Sequence, residues 1–171
     1  MNVWLIGYYY RLRRQSSGTT WDELLARLTS TDRDNIARLA LELVDESGER
    51  RAVEDASAEN MGQERIWGMI GGLEGLEVLE KNSEVLIDLA AYVQRWYPEA
   101  VVIAERLRLD ARELKWHVTR LRGAAQTGNL EISFPFYAQR AVVSYYLMTR
   151  RLLSLYESAS FPMLAELQRA L

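Results

Sequence analysis

His117 is the only imidazole in this 171-residue chain, and there is no cysteine. A thiol nucleophile, a disulfide framework, an iron–sulfur cluster and a zinc finger are therefore excluded from it. So is any site that needs two imidazoles, such as a four-helix di-iron centre built on paired Glu-x-x-His motifs. A Ser-His-Asp triad would have to use His117. Along a helix its neighbours are Glu113 at i−4 and Asp110 at i−7. That spacing reads as an i,i+4 ion pair or a packed residue, not as a catalytic base. Glu74, Glu77, Glu84 and Asp88 share one stripe of a helix. Carboxylates in that pattern hold Mg²⁺ or move protons only with burial or a further ligand, and a solvated acidic face is the simpler meaning. No catalytic constellation, metal site or cofactor is expected.

Two other segments invite chemistry. Five of the ten glycines fall within residues 62–75. Gly68, Gly72 and Gly75 lie at i, i+4 and i+7, a smooth helix face that suits a close helix crossing or, failing that, a linker. No Gly-Lys-Ser/Thr follows, so a P-loop is excluded. Near the start, Tyr8, Tyr9 and Tyr10 interleave with Arg11, Arg13 and Arg14. That pattern stacks single-stranded bases, sits on a membrane surface, or is an edge element packing on the core.

The elements that would position these residues belong to a soluble globular chain with 49% hydrophobic and 26% charged residues. The length suits one ordinary domain or two small ones. Nowhere do 18 apolar residues run together, and the apolar start lacks the flanks of a signal peptide. A cytoplasmic location away from membranes is expected. Charge is uneven: residues 1–41 carry net +2, 42–88 net −9 and 89–171 net +4. This suggests an acidic helical region over 1–75, a compact module over 76–157 and a C-terminal helix over 158–171.

Helix signals run along the chain. Thr20 with Glu23 forms a capping box, and Asp32 caps a second helix reaching about Val44. Gly48 suits its end. A helix is expected over 76–96, with a break at residues 81–83 where Asn82 or Ser83 caps a new start. Pro98 turns the chain into the next helix.

Residues 102–122 carry the one pattern that resembles a known family. Ile103, Ala104, Leu107 and Leu109 match the first helix and turn of a helix-turn-helix. Asp110 matches the cap of the second helix, with Glu113 completing a capping box. Leu114, His117, Val118 and Leu121 match its inner face. Leu130, Ile132 and Phe134 alternate as in a strand, residues 135–139 read as a turn, and residues 140–147 are rich in valine and tyrosine. Together, residues 84–157 resemble the winged helix-turn-helix of bacterial transcriptional regulators. The resemblance implies a dimeric, double-stranded-DNA-binding regulator. Its DNA contacts would be Arg108 at the turn, Arg112, Lys115 and Thr119 on the recognition helix, and Arg140 in the wing. Leu109 would fill the corner between the helices.

The same residues also allow a plain helical bundle. Ala104, Leu107, Ala111, Leu114, Val118 and Leu121 form a heptad on one uninterrupted helix. Tyr137, Ala141, Tyr145, Met148, Leu152 and Tyr156 form one face of a single helix starting at Pro135. The fold class is mainly α in both cases. On the bundle reading the chain is a non-enzymatic interaction or scaffold protein, with a helical protein partner or a second copy of itself and no nucleic acid. Whether residues 108–110 are a turn or mid-helix separates the two.

Overall fold

Caps start the first two helices of the computed structural model, which describes residues 19–42 and 62–171. In α1, Trp21–Ala26, Thr20 and Glu23 bond each other's backbone in the expected capping box. In α2, Arg33–Leu41, the Asp32 carboxylate accepts from the Asn35 N–H. Residues 1–18 and 43–61 lie outside the described residues. The expectations for the Tyr8 to Arg14 pattern and for the helix end near Gly48 fall there.

Gly71 and Gly72 divide what could have been one helix. Both have positive φ, 76° and 66°, which a side chain disfavours. They separate α3, Gln63–Ile70, from α4, Gly72–Val93. A Cβ on Gly75 would lie 1.6 Å from the Ile70 carbonyl oxygen, and one on Gly72 would lie 2.6 Å from the Trp67 ring. Two of the three glycines thus let α3 fold back on α4 and Trp67 pack 4.6 Å from Phe134. Gly68 faces open space.

Helix α4 has no break at residues 81–83. Asn82 and Ser83 are buried and cap nothing. The Asn82 amide accepts from the Thr29 N–H at 2.9 Å and donates to the Thr29 carbonyl at 2.8 Å and to the Tyr145 hydroxyl at 3.3 Å. It latches the α1–α2 connection to the centre of the molecule.

Residues 108–110 are mid-helix, so the helix-turn-helix expectation is corrected there. One helix, α5, runs Ala100–Gln126. Nothing between Leu107 and Ala111 forces a turn, and Ala104, Leu107, Leu114, Val118 and Leu121 are all fully buried on one face. Asp110 is not an N-cap. Its buried carboxylate pairs with Arg151 and lies 3.8 Å from Arg106. Leu109, expected in a corner, is 53% exposed.

The wing is corrected too. Residues expected as strand, turn and strand belong to α6, Leu130–Ser158, and the described residues contain no strand. Ile132 is 84% exposed while Phe134 is buried, so the alternation marks no sheet face. Valine and tyrosine cost a helix only about 0.5 kcal/mol each, whereas burying a large apolar side chain is worth ~1.5–3 kcal/mol. Residues 141–145 are buried without exception, which places α6 at the centre. Packing decides against local β propensity.

Helices α4, α5 and α6 form an up-down-up bundle. The α5–α6 turn is a Schellman motif: Gly128 takes φ 74°, Gly128 N–H donates to the Ala125 carbonyl and Asn129 N–H to the Ala124 carbonyl. After α6, Ser160 takes φ 50° in the same motif, with Ser160 donating to Glu157 and Phe161 to Tyr156. A last helix, α7, Leu164–Ala170, returns to α1, where Trp21 Nε1 donates to Glu166 at 2.9 Å. One buried apolar cluster extends from Trp21 through all of these helices to Leu171. The boundary expected at 75/76 falls in the first turn of α4, and side chains from both sides of it share that cluster.

Candidate functional site

Arg108, Arg112 and Lys115 come together because they sit at i, i+4 and i+7 on the α5 flank facing α4. They line a groove of about 210 Å³. Its opposite wall carries Glu80 and Glu84, and Ile87 and Ala111 form the apolar floor. The seam is therefore of mixed charge. At its end the Arg122 guanidinium reaches Glu77 at 3.0 Å and Glu80 at 2.9 Å. The hydrogen bond to Glu77 holds its pKa above the ordinary arginine value, against the opposing effect of burial. Arg108 also pairs with Glu105 on its own helix. Thr119 is exposed one turn beyond Lys115 and does not line the groove. Arg140 does not line it either: it lies on α6 with its guanidinium 4.5 Å from the Phe136 ring centre. Ligand pockets are typically ~300–1,000 Å³, so this groove is small for an organic cofactor.

The acidic stripe of α4 is divided among partners. Glu77 meets Arg122, and Asp88 meets Arg27 at 2.7 Å. Among the described residues no three acidic or imidazole side chains come together to hold a metal ion. His117 packs against Tyr137 with ring centres 5.7 Å apart, and its Nε2 lies 3.5 Å from Glu113 Oε1 without a hydrogen bond. No helix of the described residues is long and apolar enough to cross a membrane.

The outer face of α5 has a different character. Val102, Leu109 and Trp116 recur every seven residues and are 71%, 53% and 49% exposed. Gly123 continues the row and faces open space. Single exposed apolar residues are ordinary, and here three of them recur at heptad spacing along one line of the helix. Charges flank it on both sides: Glu105, Arg112, Glu113 and Arg120. The Arg120 guanidinium lies 5.1 Å from the Trp116 ring centre. Tyr137 links Trp116 to Phe136, itself 43% exposed, so the apolar surface extends onto α6. The seven-residue spacing was visible in the sequence, but Leu109 was expected in a corner between two helices, which hid the row.

No family model, curated protein or solved structure matches this chain.

Proposed function

We propose that this protein is a non-catalytic α-helical interaction module that docks through the outer face of α5. The observation that carries this reading is the exposed row Val102, Leu109 and Trp116 on a helix that is unbroken through residues 108–110. A continuous α5 presents one straight ridge about 30 Å long, the geometry a partner helix pairs with. The test is photo-crosslinking in cells that make the protein, with a photoreactive residue at position 109 and a control at exposed Arg169 on α7. A discrete protein adduct at 109 and not at 169 is expected. No adduct at 109 overturns the reading.

Double-stranded DNA binding is the second reading, supported by the convergence of Arg108, Arg112 and Lys115 on one flank of α5. Glu80 and Glu84 weigh against it, because carboxylates lining the same groove repel phosphate. Its test is fluorescence anisotropy with mixed genomic DNA at low salt. Salt-dependent binding at micromolar protein, lost in Arg112→Ala and Lys115→Ala, would make DNA the ligand.

A further inference from the structure

We infer that the edge where α5 meets α6 binds single-stranded nucleic acid, with bases stacked on Trp116 and Phe136 and the backbone phosphates held by Arg120 and Arg140. This goes beyond the docking reading above, with which it shares Trp116. It also differs from the duplex reading, which uses the groove on the other flank of α5.

The site is a continuous line of side chains drawn from two helices. The Arg120 guanidinium lies 5.1 Å from the Trp116 ring centre, and Trp116 meets Tyr137 edge-on at 5.6 Å. Tyr137 meets Phe136 at 5.1 Å, and the Arg140 guanidinium lies 4.5 Å from the Phe136 ring centre. Trp116 and Phe136 are exposed, while Tyr137 is half-buried between them and packs on His117. Two open rings held apart by a third are platforms for neighbouring bases of one strand, since every base has a π-face.

The charges decide the partner. Arg106, Arg108, Arg122 and Arg151 on the same two helices each meet a carboxylate. Among the described residues Arg120 and Arg140 meet none and lie against rings instead; Arg112 and Lys115, on the α4 side of Trp116, meet none either. Glu113, one turn before Trp116, is half-buried with its Oε1 3.5 Å from His117 Nε2. An apolar protein surface laid on this edge would bury two cations without counter-charges, at a cost. A nucleotide supplies both halves at once, a flat face for the ring and a phosphate for the guanidinium beside it. In a duplex the bases stack on one another inside the helix and their faces are closed to Trp116 and Phe136, so the rings specify a single strand.

The test is fluorescence anisotropy of the purified full chain with labelled oligothymidylate and oligouridylate of about 15 nucleotides, two probes that distinguish DNA from RNA. Micromolar binding at low salt is expected, roughly tenfold or more tighter than to a duplex of the same length. Arg120→Ala and Arg140→Ala are each expected to lower the slope of log affinity against log salt by about 0.7, the loss of one phosphate contact on a single strand. Phe136→Leu keeps apolar bulk but removes the stacking face, and is expected to weaken binding about tenfold. A base stacked on Trp116 quenches its indole, so Trp116→Phe is expected to bind while losing most of the quench. Circular dichroism confirms that these surface variants fold. No single-strand binding at micromolar protein, equal affinity for the duplex, or binding indifferent to both Phe136→Leu and the arginine substitutions overturns the inference. Any of these together with a protein adduct at position 109 in cells defeats nucleic-acid binding at this edge and leaves the docking reading standing.

Discussion

Asn82 shows how much one polar side chain can hold. Its amide satisfies both backbone groups of Thr29 and touches Tyr145, three elements joined at one buried point. Asn82→Ala removes both Thr29 hydrogen bonds and the buried one to the Tyr145 hydroxyl, and a loss of about 1–3 kcal/mol is expected in urea unfolding. Tyr156 is a second such point. Its hydroxyl donates to the Leu89 carbonyl at 2.9 Å, and burial pushes its pKa well above the ordinary 10.0. A folded-state pKa above the unfolded one means that the folded protein holds the proton more tightly. The stabilisation is whole below pH 10 and is lost as pH rises beyond it. Burial raises the Tyr145 hydroxyl in the same direction. Stability measured from pH 9 to 11.5 should therefore fall steeply, and Tyr156→Phe should flatten the fall; equal slopes would show that folding does not raise the Tyr156 pKa.

Helix ends are where sequence and backbone conformation constrain each other most tightly. Gly72 begins α4 with φ 66° and with the Trp67 ring where its Cβ would be. Gly72→Leu combines left-handed strain with overpacking, and a loss of about 1–3 kcal/mol is expected in thermal or urea unfolding. A silent substitution would contradict the fold-back of α3 on α4. Ser160 presents the reverse case, a non-glycine residue at φ 50° in the Schellman motif ending α6. Ser160→Gly relieves that strain at some cost in unfolded-chain entropy, and should stabilise by about 0.5–1 kcal/mol. A destabilised variant would mean that the serine side chain contributes more than its backbone strain costs.

At the scale of the whole molecule, the first two helices and the bundle share one buried cluster. Leu39 in α2 and Leu121 in α5 are both fully buried within it. Leu39→Ala and Leu121→Ala should each lower a single cooperative transition by about 2–5 kcal/mol. Two separate transitions in either variant would divide the chain into independent halves. Charge is organised at this scale too. The acidic face of α4 meets the basic flank of α5, with Arg122 between Glu77 and Glu80 and Arg27 on Asp88. The acidic side chains of α4 and the positive charge of α5 thus offset each other in part within the molecule.

The sequence by itself determined the mainly helical class, the starts of α1 and α2 and the buried heptad of α5. Each follows from neighbours three or four residues apart, a distance within which side chains and backbone interact whatever the rest of the chain does. It left open whether residues 107–111 turn, because Asp110 serves equally as a helix cap or as an ion-pair partner. Only Arg151, 41 residues away, decides that the carboxylate is used laterally in an unbroken α5. Asn82 is the same case, with cap chemistry spent on Thr29. The valine- and tyrosine-rich stretch of α6 read as strand because its neighbours were unknown. Surrounded by α2, α4 and α5, those side chains gain more from burial than their weak helix propensity loses. The candidate docking ridge was ambiguous for the same reason. Leu109 was expected to fill a corner between two helices, and only the unbroken α5 sets it in one exposed row with Val102 and Trp116.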